Sequence, residues 1–190
     1  IKNVTNIPTV IDNKKYYKKT TIDNSNIIIG WIGTPATSFF LDNILEVFEK
    51  LNSAYKIRIN LVGARHDDFE HDFIDCIEWN EKTEIASIQN FDIGVMPLRD
   101  FNSFEKGKCG YKLIQYMACG IPVIGSPIGE NNIIIDEGIN GFFANTNDEW
   151  EYFLEKLICD KNLRQSFGNE GYRKVQETYT TEIQGPNVIK

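Results

Sequence analysis

Three lysines and two glycines stand together in one short segment, Lys106-Gly107-Lys108-Cys109-Gly110-Tyr111-Lys112. The residue composition from Lys108 onwards predicts a helix over 108–119 that ends at Gly120. Free N–H groups and the positive end of the dipole at a helix start attract anions, and Gly107 allows close backbone approach. At about 100° per residue, one face of this helix carries side chains that could hold a diphosphate and a sugar hydroxyl: Lys108, Lys112, Gln115 and Cys119. The alternative is a solvated polar helix face.

A second candidate segment is Gly30-Trp31-Ile32-Gly33-Thr34-Pro35-Ala36-Thr37-Ser38, which predicts a strand, a tight turn and the start of a helix capped by Ser38. It matches neither a GxGxxG motif nor a Walker loop. The turn at Gly33 and Thr34 could still offer backbone N–H groups, together with the hydroxyls of Thr34, Thr37 and Ser38, to a phosphate. Ordinary helix capping is the alternative. The loop over 126–132 is a further candidate for an anion or a sugar, with a simple turn as its alternative.

The two histidines stand in an acidic segment, Arg65-His66-Asp67-Asp68-Phe69-Glu70-His71. A spacing of five residues does not put both imidazole rings on one helical face, so we predict a polar surface loop and no metal site. The four cysteines contain no CxxC pair and are interpreted as reduced core thiols. No G-x-S-x-G elbow is present, which argues against a serine hydrolase.

Composition narrows the functional classes. The chain has 190 residues and a formal charge of -7, because 27 acidic residues outnumber 20 basic ones. Nucleic-acid binding is therefore not expected, since phosphate contacts normally need a basic surface. The sequence shows neither a membrane-spanning apolar run nor a secretory signal, and we expect a cytoplasmic protein. The first residue is Ile1, so a piece of a longer chain is expected.

Strand and helix patterns alternate through most of the chain. This alternation predicts an α/β fold, a Rossmann-like parallel sheet with helices on both faces, whose ligands bind at the carboxyl ends of the strands. The predicted strands are 27–33, 57–62, 76–79, 91–96, 121–125 and 141–144. The predicted helices are 39–51, 81–89, 108–119, 133–137, 150–159 and 162–178, with Asp148 and Asp160 as caps of the last two.

Several segments together resemble one enzyme family. Tyr116-Met117-Ala118-Cys119-Gly120-Ile121-Pro122-Val123-Ile124 resembles the E-A-M-A-C-G-x-P-V-V signature of GT-B-fold glycosyltransferases, family 4 especially. Three further segments resemble strands of that family in the same order: Ile57 to Gly63, Phe91 to Pro97 and Asn140 to Phe143. Ile7-Pro8-Thr9-Val10-Ile11-Asp12 resembles the segment that joins the two halves of the enzyme. The resemblance thus implies the C-terminal half of a GT-B fold, with a junction over 1–24, a nucleotide-sugar-binding domain over 25–180 and a tail over 181–190.

The resemblance implies a glycosyltransferase that takes a sugar from a nucleoside diphosphate, with a retaining mechanism and no metal or other cofactor. The acceptor, a glycan or a lipid-linked sugar, would be held by an N-terminal domain outside this chain. The isolated chain is therefore expected to be inactive. Peripheral association of the full-length enzyme with the inner face of the membrane stays open.

The chain departs from the family at two glutamates that are separated by seven residues. Gly107 and Gln115 occupy those positions. Gln115 can still bind ribose hydroxyls, and Glu105, two residues from Gly107, is the candidate for the catalytic contact to the donor sugar. Lys108 and Lys112 are the candidates for the diphosphate. The loss of both glutamates favours one alternative, a non-catalytic nucleotide-binding scaffold. A second alternative is a sugar-nucleotide epimerase, which shares the fold.

Overall fold

The computed structural model describes residues 7–18, 26–99 and 103–188. Within these ranges the strands are β1 (Ile27–Ile32), β2 (Ile57–Val62), β3 (Ile74–Ile77), β4 (Ile93–Met96), β5 (Val123–Gly125) and β6 (Gly141–Phe143). The α-helices are α1 (Leu45–Ala54), α2 (Glu84–Gln89), α3 (Ser103–Lys106), α4 (Tyr111–Ala118), α5 (Asn131–Ile134), α6 (Asn147–Cys159), α7 (Lys161–Thr178) and α8 (Thr181–Val188). Two 3-10 helices span Pro35–Asn43 and His66–Asp68.

The described strands form one parallel sheet in the order β3-β2-β1-β4-β5-β6. Strand order runs outward in both directions from β1 and β4, so the crossover helices change face at this pair. The predicted Rossmann-like parallel sheet is thereby confirmed. Ligands of such sheets bind at the carboxyl ends of the strands beside this switch point.

Two apolar cores lie on the two faces of the sheet, as the alternating strand side chains require. On β1, Ile29 and Trp31 belong to one core and Ile32 to the other. Helices α1 and α6 cover the first face, whereas α2, α4 and the end of α7 cover the second. The prediction of helices on both faces is confirmed.

A glycine of β4 seats α4 close to the sheet. Gly30 of β1 is the register partner of Gly94 of β4. A Cβ on Gly94 would lie 2.4 Å from the ring of Tyr116, so only glycine leaves room for this ring. The buried Tyr116 hydroxyl accepts a hydrogen bond from the Ile32 N–H at 2.9 Å. Helix α4 is therefore tied to the end of β1, where a ligand of this fold binds.

Several predicted element boundaries shift, each for a local reason. Helix α4 begins at Tyr111 instead of residue 108, because Gly110 has a φ of 64° that ends helical geometry before it. Ser38 is not an N-cap: the first part of 39–51 is the 3-10 helix, which starts at Pro35, the residue type favoured at a first helical position. Asp148 is not the cap of α6 either, because Thr146 occupies that position.

The cap at Asp160 is confirmed, since its side chain accepts a hydrogen bond from the Leu163 N–H. Gly120 ends α4 with a φ of 74°, as predicted. Strand β3 starts two residues earlier than predicted, at Ile74.

Residues 7–18 of the predicted junction pack against the end of the domain. The Ile11 N–H donates to the carbonyl of Tyr179 at 2.9 Å, and the Thr181 N–H donates to the carbonyl of Ile11 at 3.0 Å. Ile11 and Tyr16 are buried. The described part of the predicted tail forms α8, and the remaining junction and tail positions (1–6, 19–24, 189–190) lie outside the described residues. Among the described helices, none has the length and apolar character needed to span a membrane.

Candidate functional site

A cavity of about 740 Å³ opens at the carboxyl ends of β1 and β4. It lies beside the switch point of the sheet, the place where this fold binds its ligands. The sequence-predicted residues that line it come from the turn after β1, from the segment that leads into α4 and from α4 itself: Gly33, Thr34, Gly107, Lys108, Lys112 and Gln115. The two most distinctive sequence segments therefore meet in one place.

The N-terminus of α4 forms one wall of this cavity. Gly110 is its N-cap residue, no side chain of the described part of the chain caps the helix end, and its first turn contains no acidic residue. The Gly110 φ of 64° is a backbone conformation that residues with a Cβ rarely adopt, which favours glycine here, and a Cβ would also lie 2.2 Å from Cδ1 at the end of the Ile134 side chain. Helix N-termini of this kind favour anions.

Two lysines stand at this helix end. The Lys112 ammonium lies 5.4 Å from the centre of the Trp31 ring, and that of Lys108 lies 5.1 Å from the centre of the Phe40 ring. Burial, together with the positive charge of Lys108, lowers the pKa of Lys112 to about 8, and Cys109 opposes this shift. The half-buried Lys112 thus carries its charge at a cost, which a bound anion would offset.

Gly33 brings the β1 turn close to Lys112. A Cβ at this position would lie 2.4 Å from the Trp31 ring and 3.0 Å from Cε of Lys112. The Gly33 N–H donates to the carbonyl of Val62 at 2.9 Å, and the Thr34 N–H donates to Oγ1 of Thr37 at 3.3 Å. Both N–H groups that we expected to face a phosphate are therefore engaged within the protein. Gly33 instead allows the turn after β1 to lie close to the Lys112 side chain.

A carboxylate that the sequence analysis missed also lines the cavity. Glu84, the first residue of α2, accepts hydrogen bonds from the Tyr16 hydroxyl, from Nε2 of Gln115 at 3.0 Å and from Nε1 of Trp79 at 2.7 Å. Nε2 of Gln115 also donates to the Tyr16 oxygen at 2.7 Å. Trp79, the aromatic residue at the end of the predicted strand 76–79, was the available sequence signal for this cluster.

Residues 27–159, more than half of the chain, match the family whose model is described as Glycosyl transferases group 1. The chain belongs to this family. Among curated glycosyltransferases of known name, it is 22% identical over 177 residues to the capsular polysaccharide biosynthesis glycosyltransferase CapM of Staphylococcus aureus. That alignment covers 90% of this chain and 46% of CapM, so the chain spans about half the length of this relative.

Solved structures of group 1 glycosyltransferases and of related proteins have the same fold. The C-terminal domain of the group 1 glycosyltransferase LpcC of Francisella tularensis superposes with a TM-score of 0.67 at 19% identity, covering 90% of this chain and 98% of that domain. Anabaena HepE, solved in complex with UDP and glucose, superposes with a TM-score of 0.78 at 12% identity, covering 96% of this chain and 55% of HepE. The fold therefore matches the C-terminal half of a GT-B glycosyltransferase.

Glu105 lies apart from the other predicted site residues of this group 1 domain. It is 4% exposed, belongs to α3 and does not line the cavity. Its Oε2 atom has no hydrogen-bond partner among the residues that the structure describes. Gly107, two positions further on, does line the cavity, so Glu105 stands next to the site without opening onto it.

The other candidate segments have structural roles. His71 pairs with Glu49, with Nδ1 3.6 Å from the carboxylate, and His66 begins a short 3-10 helix. Within the described ranges no group of three or more His, Cys, Asp or Glu side chains could hold a metal ion. In the 126–132 loop, the Ser126 hydroxyl accepts a hydrogen bond from the Leu98 N–H at 2.9 Å and donates one to its carbonyl at 3.1 Å. This loop holds the segment after β4 in place.

Proposed function

We propose that this domain binds the nucleoside-diphosphate sugar of a glycosyltransferase, with the diphosphate at the N-terminus of α4 between Lys108 and Lys112. The observation that carries the proposal is Lys112, a half-buried lysine in the cavity whose pKa burial and Lys108 lower to about 8. Two cations at an uncapped helix N-terminus form a cradle for a multiply charged anion.

The relatives support a nucleotide-sugar ligand. HepE was solved with UDP and glucose, and CapM is named as a glycosyltransferase. UDP is therefore the first ligand to test on this chain. The full-length protein would pair this domain with a second one that holds the acceptor, a glycan or a lipid-linked sugar.

The lysines also account for the proposed catalytic contribution of this half. In glycosyl transfer from such a donor, negative charge develops on the departing diphosphate. Preorganised cations and helix N–H groups stabilise that charge in a site that excludes water. We therefore propose that Lys108, Lys112 and the start of α4 serve here without a divalent cation, in a retaining transfer.

Glu105 is our candidate for the contact to the donor sugar. Its carboxylate is buried two positions before the cavity-lining Gly107, and Oε2 lacks a described partner. A small movement of α3 on donor binding would bring this oxygen towards the sugar. In the full-length enzyme, Glu105→Gln should abolish transfer and leave UDP binding intact.

A non-catalytic nucleotide-binding module is the second candidate function. The observation that favours it is that neither family glutamate position carries a carboxylate and that Glu105 does not line the cavity. The two candidates share the nucleotide site and differ in turnover. Binding of UDP-sugar by the full-length protein, without hydrolysis or transfer, would favour the module.

Calorimetric titration of the chain with UDP, ADP and GDP tests the binding proposal. At least one should bind, and Lys112→Ala should weaken it by about tenfold to a hundredfold, because a hydrogen bond to a charged group contributes about 1.5–3 kcal/mol. Lys56→Ala is the matched control, since this exposed lysine precedes β2 and so lies at the amino ends of the strands, opposite the cavity. Equal loss in both variants, or no nucleotide binding, would refute the proposal.

A further inference from the structure

The cavity wall beyond Lys112 is acidic instead of basic. Gln115 follows Lys112 by three positions, so the two lie on the same face of α4, about one turn or 5 Å apart. Nε2 of Gln115 donates to Oε1 of Glu84 at 3.0 Å, which places the Glu84 carboxylate next to that turn. Moving along α4 away from its N-terminus, a ligand would pass from a lysine to a carboxylate.

Among the described residues, three groups hold the Glu84 carboxylate. Tyr16 and Gln115 donate to Oε1, whereas the Trp79 indole donates to Oε2 at 2.7 Å. Burial, and then the hydrogen bond to Glu84, raise the pKa of the Tyr16 hydroxyl, so this group remains a donor. An ionised carboxylate accepts about four hydrogen bonds, and the Glu84 carboxylate lines the cavity. The arrangement leaves room for about one further donor on a carboxylate that is fixed in place.

The charge of this group decides which part of a ligand it can take. A carboxylate repels phosphate, and it binds a neutral group that donates a hydrogen bond. In a nucleoside diphosphate, the group next to the diphosphate is the ribose, whose hydroxyls are such donors. The order of lysine and carboxylate along α4 matches the order of phosphate and ribose in the ligand.

We propose that Glu84 is the ribose-binding residue of this site and that Tyr16 and Gln115 are positioning residues for its carboxylate. The inference rests on the proposed nucleotide-binding function. It moves the ribose contact from Gln115, where the family resemblance puts it, because the amide nitrogen of Gln115 is turned towards Tyr16 and Glu84 and an ionised carboxylate is a stronger acceptor for a hydroxyl than an amide oxygen. Glu84 on α2 thus supplies the carboxylate that the family has on α4, at the position of Gln115.

The test compares the affinities of UDP, 2′-deoxy-UDP, 3′-deoxy-UDP and inorganic pyrophosphate for the wild-type chain and for variants. One of the two deoxy nucleotides should bind the wild-type chain about tenfold or more weakly than UDP, as expected for a hydrogen bond to a charged group. Glu84→Gln should remove most of this discrimination and leave pyrophosphate binding unchanged or slightly tighter. Glu81→Gln is the matched control, because it removes a charge from an exposed side chain three residues away.

Tyr16→Phe tests whether Tyr16 positions the Glu84 carboxylate. The readout is a ratio of affinities, which a general loss of stability would not change. The substitution should reduce the ratio of UDP to deoxy-UDP affinity while the affinity for pyrophosphate stays the same. The difference between the affinities of UDP and the deoxy nucleotides is measured on the wild-type chain, so it tests the inference even if Glu84→Gln does not fold. If both deoxy nucleotides bind the wild-type chain as tightly as UDP, or if Glu84→Gln keeps full discrimination, the inference is wrong. Failure of every nucleotide and of pyrophosphate to bind would instead refute the proposed function.

Discussion

The charge state of Lys112 should control nucleotide affinity near neutral pH. The side chain is half-buried beside the Trp31 ring, and burial together with Lys108 lowers its pKa to about 8. A diphosphate binds the ammonium form and stabilises it, so the pKa of Lys112 must rise in the complex. Linkage then requires that affinity falls as pH rises through 8 and that binding above pH 8 takes up a proton.

The size of the effect follows from the titration of one lysine. With a pKa of about 8, Lys112 is roughly nine-tenths charged at pH 7 and one-tenth charged at pH 9. Affinity should therefore fall by about tenfold over this interval, which corresponds to about 1.4 kcal/mol. The last ionisation of a phosphate monoester has a pKa of about 6 and contributes little in this range.

Calorimetry of UDP binding at pH 7, 8 and 9, in two buffers with different ionisation enthalpies, measures the affinity and the number of protons taken up on binding. Net proton uptake should be close to zero at pH 7 and largest between pH 8 and 9. Lys112→Arg is the control, because a guanidinium stays charged throughout the interval. This variant should lose the pH dependence, and any titration of the ligand itself is common to both proteins.

An affinity that is constant between pH 7 and 9 in the wild-type chain would refute this reasoning. The same conclusion would follow if Lys112→Arg retained the full pH dependence, since the titrating group would then lie elsewhere.

Three further predictions concern packing, metal dependence and turnover. Gly33→Ala should lower the free energy of unfolding by about 1–3 kcal/mol and weaken UDP binding, because its Cβ would lie 2.4 Å from the Trp31 ring. Urea unfolding measures this loss, with Gly185→Ala as the control, since a Cβ at Gly185 meets nothing within 4 Å. Equal stability of the two variants would contradict the prediction. The affinity for UDP should be the same with and without a chelator, and a large loss under chelation would bring a cation into the site. The 190-residue chain should bind donor without transferring its sugar, because lost positioning of an acceptor costs ~7 kcal/mol or more, and robust transfer by the chain alone would contradict this.

The fold could be predicted because its signals are local. Short apolar strands that end at glycine or proline, alternating with amphipathic helices, determine a parallel sheet, and the structure confirms each predicted strand to within a few residues. The errors fall where one residue changes the backbone: Gly110 delays the start of α4, and Pro35 starts a 3-10 helix before Ser38. Gly110 itself is visible in the sequence, and a glycine at the start of a predicted helix indicates that the helix begins after it, because glycine readily adopts a positive φ.

That the basic segment would lie at the carboxyl ends of the strands, where the cavity is, was predictable for the same reason. Gly107, Lys108, Lys112 and Gln115 lie within one short segment, and their helical spacing is visible in the sequence. The Glu84 cluster was not predictable, because its members meet only in the fold. Tyr16 and Glu84 are 68 residues apart, and Tyr16 and Gln115 are 99 apart.

The engaged N–H groups of Gly33 and Thr34 show a second limit of sequence reasoning. The strand-turn-helix pattern identifies a turn at the carboxyl end of β1, but it does not tell which backbone groups the fold itself uses. Val62 on the neighbouring strand accepts the Gly33 N–H, a pairing set by the register of β1 and β2. Only the three-dimensional arrangement separates a ligand contact from an internal hydrogen bond.

A crystal structure of the chain with UDP or a UDP-sugar would show the position of the nucleotide itself. We expect the diphosphate at the first turn of α4, within hydrogen-bond distance of Nζ of Lys112, with the ribose towards Glu84. A nucleotide bound elsewhere on the domain, or one whose ribose faces Lys112 and whose phosphates point away from α4, would contradict it.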